Sequence, residues 1–119
     1  MTGATLPPSP EDRYAALATA LLARGCSSPA HRRGFGANAL TEGGRIFAAL
    51  THSRRLLVKL PAARVTALVA EGVGARFDAN RGRPMKEWLL VAPGHEDDWR
   101  ELAEEALAFA RDRKRTAED

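Results

Sequence analysis

Residues 45–60, RIFAALTHSRRLLVKL, constrain the fold more than any other stretch of the chain. Two apolar runs flank a short polar patch, His52-Ser53-Arg54-Arg55. Successive side chains of an extended strand point to opposite sides. The first run therefore puts Ile46, Ala48 and Leu50 on one side, and Phe47, Ala49 and Thr51 on the other. The second puts Leu56, Val58 and Leu60 opposite Leu57 and Lys59. A connector this short joins antiparallel neighbours, so the stretch predicts a β-hairpin with Arg54 and Arg55 at its turn.

The segments around the hairpin supply helices to cover it. Ser9 reads as an N-cap, Pro10 as a first helical residue and Asp12 as an acid at the helix's positive end. Tyr14, Leu17, Ala18, Leu21 and Leu22 then repeat at helical spacing, and Gly25 is a stop. Pro61 opens a second helix with Val65, Leu68 and Val69 as its buried stripe, ended by Gly72. A third runs from His95 or Glu96 to about Lys114, with Trp99, Leu102, Ala103, Ala106, Phe109 and Ala110 on one face.

Three more strands complete the expected sheet. RRGFGANAL is the first, closed by the turn Thr41-Glu42-Gly43-Gly44. ARFDA and MKEWLLVA are the fourth and fifth, joined through Asn80-Arg81-Gly82-Arg83-Pro84. The order α-β-β-β-α-β-β-α predicts an α+β fold: a two-layer, mainly antiparallel five-stranded sheet with helices on one face. The domain is expected over residues 9–115, after a loose tail at 1–8 and before a frayed end at 116–119. If only one face is covered, Phe47, Leu57 and Trp88 point outward, and a second copy of the chain is the simplest cover.

Composition narrows the function classes. The longest apolar stretches are far short of the ~18 residues of a membrane span. MTGATLPPSPEDR lacks the basic start and apolar run of a secretory signal, and the single Cys26 suits a reducing cytoplasm. The 18 basic and 15 acidic side chains are unevenly spread. Residues 31–64 hold seven Arg/Lys against Glu42 alone, whereas 94–110 hold six acids against Arg100 alone. Such a dipole steers charged partners or orients self-association.

Three strings, RRGFGANALTEGGRIFAAL, RRLLVKLP and ARFDANRGRPMKEWLLV, resemble the TfoX N-terminal domain and the related MmcQ/YjbR-like proteins. The resemblance rests on Phe35-Gly36, the second strand Gly44 to Ala48, Lys59-Leu60 ending the third, and the apolar aromatic strand Met85 to Val91. It spans roughly residues 12–113 and departs from the TfoX pattern at Gly34, where methionine is usual. It implies the element order already derived, and regulatory or DNA-binding roles without catalytic residues.

The residues themselves offer few candidates for chemistry. His31, His52 and His95 have no zinc-ligand spacing, and Cys26 has no Cys-x-x-Cys mate, so neither a metal nor another cofactor is expected. The glycines of GFGANALTEGG fit no phosphate-binding motif and suit a bulged strand and a tight turn. No nucleophile, base and electrophile stand in a catalytic pattern, and a non-enzymatic domain is expected. The basic set Arg32, Arg33, Arg54, Arg55, Arg81, Arg83 and Lys86 forms one positive rim if the strand ends lie together. Such a rim neutralises nucleic-acid phosphates without reading base edges. The alternative is a protein-interaction or small-ligand module that uses the open sheet face at Phe47, Leu57 and Trp88.

Overall fold

The computed structural model describes residues 8–28, 39–78 and 85–118, with side chains up to Asp112. Helix α1 (Pro10–Leu22) is followed by β1 (Leu40–Glu42), β2 (Arg45–Leu50) and β3 (Leu56–Lys59). Then come α2 (Ala62–Ala70), β4 (Gly74–Arg76), β5 (Trp88–Val91), a 3-10 turn at Glu96–Asp98 and α3 (Trp99–Glu118). The strands lie in the order β1-β2-β3-β5-β4, and every neighbouring pair is antiparallel. The α+β architecture and element order are those the residue pattern predicts.

Local chemistry sets most boundaries. The Ser9 hydroxyl accepts from the Asp12 amide at 3.0 Å, capping α1 as its sequence implies. Gly43 and Gly44, with φ of 63° and 81°, form a two-residue turn between Glu42 and Arg45. Both central positions of such a turn need left-handed backbone, which glycine supplies without strain. A Cβ on Gly74 would lie 2.4 Å from the Leu90 carbonyl oxygen, so only glycine fits β4 this closely against β5. The third helix continues beyond its expected end near Lys114, as far as Glu118.

One face of the sheet meets all three helices. Leu40, Ala48, Leu56, Val58, Leu89 and Val91 pack with Tyr14, Leu17 and Leu21 of α1, Val65 and Leu68 of α2, and Leu102, Ala103, Ala106 and Leu107 of α3. Each fully buried leucine or valine here contributes roughly 1.5–3 kcal/mol of transfer free energy.

Phe47 belongs to this covered core, at 1% exposure. That corrects the outward placement predicted by strict alternation. Leu40 pairs with Ala48 but Thr41 pairs with Ile46, so β2 carries an extra residue at Phe47. A bulge of this kind breaks the two-residue period and lets neighbouring side chains share a face. Leu57 does lie on the opposite face, in register with Ala49 and Leu90, yet it is only 1% exposed. Trp88 pairs with Lys59 on that face and is half-buried. Buried Leu57 and Ala49 stand outside the helix-facing core cluster.

Candidate binding site on the helix-free sheet face

The β2–β3 turn is built as expected, but its arginines are already engaged. The Thr51 amide donates to the Arg55 carbonyl at 3.0 Å, and the Arg54 amide to the Thr51 carbonyl at 2.9 Å. His52, Ser53 and Arg54 form a three-residue hairpin loop, with Arg54 left-handed at φ 64°. Glycine is the usual occupant of that position. Here the Arg54 guanidinium reaches both carboxylate oxygens of Glu11, at 2.7 and 2.9 Å. The hydrogen bond from Arg54 holds the Glu11 carboxyl below its ordinary pKa. Arg55 is turned inward, its Nε donating to the Val91 carbonyl at 2.9 Å.

Most other arginines of the described residues also find acids, largely on the helical layer. Arg64 grips Glu105 through two bonds of 2.9 and 3.1 Å. Arg13 meets Asp97 at 3.1 Å, Arg100 meets Glu104 at 2.9 Å, and Arg111 meets Glu42 at 3.6 Å. Three of the six acids in residues 94–110, Asp97, Glu104 and Glu105, thus meet the chain's own arginines.

Lys59 and Lys86 behave differently, since neither has a carboxylate partner among the described residues. Both line a shallow depression of about 370 Å3, together with Ala62, Met85, Glu87 and Trp88. That volume is at the lower end of small-molecule sites. Lys59 projects from the face opposite the helices because Val58 and Leu60, on either side of it, are core residues. Its Nζ sits 5.8 Å from the centroid of the Trp88 ring, a cation–π contact. Met85 is exposed beside it. Helix α2 starts at the rim of the depression, with Pro61 as its N-cap and no side-chain cap. Its partial positive end adds to the charge there.

The predicted basic rim does not close among the described residues. Arg54 and Arg55 precede β3, whereas Lys86 precedes Trp88, the partner of Lys59 at the far end of that strand. Four residues of strand, about 13 Å, separate Arg55 from Lys59. Arg32, Arg33, Arg81 and Arg83 lie outside the described residues. Of the predicted outward trio, Trp88 enters the depression, Leu57 is buried on the same face and Phe47 is in the core. Lys59 is the site residue the sequence reading left out. A lone cation inside an apolar strand was its only local signal, and Trp88 lies 29 positions away.

Other chemistry is sparse in the described part of the chain. No group of three or more His, Cys, Asp or Glu that could hold a metal occurs among the described residues. Burial pushes the Cys26 thiol up, which keeps it protonated and a poor nucleophile. His95 Nδ1 lies 3.6 Å from Asp98, and His52 is exposed at the hairpin. No helix of the described residues is long and apolar enough to cross a membrane. Comparison of the chain with protein-family models, with curated proteins and with solved structures finds no match.

Proposed function

We propose that this chain is a non-enzymatic cytoplasmic binding domain that holds an anionic partner at the Lys59–Lys86–Trp88 end of the sheet face opposite α1, α2 and α3. The observation that carries this reading is a pair of lysines with no carboxylate partner among the described residues, beside a half-buried indole. Most arginines of the described residues pair with the chain's own acids, whereas these two lysines retain charge for a partner. The resemblance to TfoX N-terminal and MmcQ/YjbR-like proteins agrees with a regulatory binding role. A hairpin grip by Arg54 and Arg55 is the weaker version of the same idea, because binding there would first have to break their bonds to Glu11 and Val91.

Polyphosphate is a suitable probe. Trp88 is the more accessible of the two tryptophans, Trp99 being 2% exposed. Acrylamide quenching therefore reports mainly on Trp88. Polyphosphate at low salt is expected to protect it saturably, and Lys59→Gln with Lys86→Gln to weaken binding at least tenfold. A wild-type protein with no saturable response would refute the reading.

Self-association across the same face is a second reading, favoured by half-buried Leu90 and Trp88 flanking Leu57. Light scattering after size exclusion tests it: a dimer broken by Trp88→Glu supports it, and a monomer at every concentration rules it out.

A further inference from the structure

Resting on that binding reading, we infer that the partner's recognised unit is a nucleotide: a phosphate held by Lys59 and Lys86, with its base against Trp88 and Met85. Three observations converge on this chemistry. The depression has both a charged and an apolar part, as an anion with an attached planar ring requires, whereas a simple anion needs no indole. Its volume of about 370 Å3 is within the lower range of small-molecule sites, enough for one such unit. The Trp88 ring is anchored in a strand that is paired on both sides, so it is a rigid platform.

The resting contact suggests how the unit enters. Lys59 lies over the ring at 5.8 Å and has no carboxylate to leave behind. Its ammonium can swing from the indole to a phosphate without breaking an ion pair. The vacated ring then offers its π surface to a base, and aromatic stacking tolerates any base. The depression is shallow, so the unit fits either as a free nucleotide or as one link of a single strand. A duplex keeps its bases stacked inside and cannot present one to Trp88.

The test uses the full chain at low salt, with four probes: a ten-residue oligothymidylate, the same length of duplex, thymidine monophosphate, and polyphosphate of matched charge. Acrylamide quenching of tryptophan is the readout. The oligothymidylate, the monophosphate or both are expected to bind more tightly than polyphosphate of the same charge. Trp88→Leu should weaken that binding about tenfold and Trp88→Phe much less, as loss of one stacked base implies. For the single strand, log affinity should fall with log salt at a slope of about −0.7, set by one neutralised phosphate. Lys59→Gln should weaken binding and flatten that slope. Preference for the oligonucleotide assigns a strand, and preference for the monophosphate assigns a free nucleotide. Polyphosphate that binds through the lysines while the nucleotides bind no better, or indifferently to Trp88→Leu, overturns this inference and leaves the binding reading intact. Equal affinity for the duplex also overturns it. No binding of any probe overturns both.

Discussion

The helix-covered face of the sheet gathers Leu40, Phe47, Ala48, Leu56, Val58, Leu89 and Val91 under three helices, and Arg13, Arg64 and Arg100 of that layer pair with acids. The opposite face has a buried apolar centre at Ala49 and Leu57, and at one end Lys59 and Lys86 have no carboxylate partner among the described residues. Both faces come from the same alternating strands. The difference lies in what packs on them. Glu11, Asp97, Glu104 and Glu105 all stand on helical segments, so helices bring acids as well as apolar cover, while Glu42 of β1 receives Arg111. Among the described residues, Lys59 and Lys86 on the opposite face find no such partner.

Substitutions can break that contrast. The largest effect is expected from Phe47→Ala, at about 3–5 kcal/mol for an aromatic lost from a packed core. Trp88→Ala, on the other face, should cost less than about half of that. Urea denaturation of both variants measures the difference, and equal losses would mean that the bulge does not separate the two residues. Arg55→Met comes next. It removes a charged donor from the Val91 carbonyl and should cost about 1.5–3 kcal/mol, against no more than about 0.5 kcal/mol for Lys59→Met or Lys86→Met. A costly Lys59→Met would mark that lysine as structural and weaken its assignment to a binding site.

Arg54 separates backbone strain from ion pairing. Arg54→Gly and Arg54→Ala both lose Glu11, but only glycine suits φ 64°. The glycine variant should therefore melt at a higher temperature than the alanine variant, with the reverse order pointing to a rearranged turn. The smallest effect is a pH dependence. The Glu11 carboxyl is held below its ordinary 4.5, so its pairing contributes stability above that value and loses it as pH falls through the lowered folded value. Both partners are more than half exposed, and water screens most of the gain. Glu11→Gln should flatten the acid limb of a stability–pH curve slightly: its small loss of stability appears at neutral pH and vanishes at low pH, where the wild-type carboxyl is protonated.

Much of the fold was legible because the signals are short-range. Ser9, Pro10 and the Tyr14–Leu17–Leu21 stripe specify α1 within one segment. Gly43 and Gly44 specify the first turn, and the apolar runs around His52–Arg55 specify the hairpin. The ends of β4 and β5 were less legible. Phe77 and Met85 keep hydrogen bonds toward the ladder without forming regular strand, since the Phe77 amide donates to Trp88 and the Met85 amide to Phe77. The candidate site was legible only in part. Lys86 and Trp88 were singled out as residue types, but their meeting with Lys59 depends on β3 pairing with β5 across the intervening α2 and β4.

By itself, then, the amino-acid order determined the helices, the hairpin and the two-layer architecture, because periodicity, caps and turn residues act over a few positions. Which cations remain unpaired was decided only in three dimensions. Glu11 reaching Arg54 and Glu105 reaching Arg64 are contacts between residues 43 and 41 positions apart. The place of Phe47 was likewise a tertiary matter, since one extra residue in the β1–β2 ladder shifts a side chain from one face to the other. Charge neutralisation and strand register both depend on what lies across the gap between elements, and local sequence carries no measure of that distance.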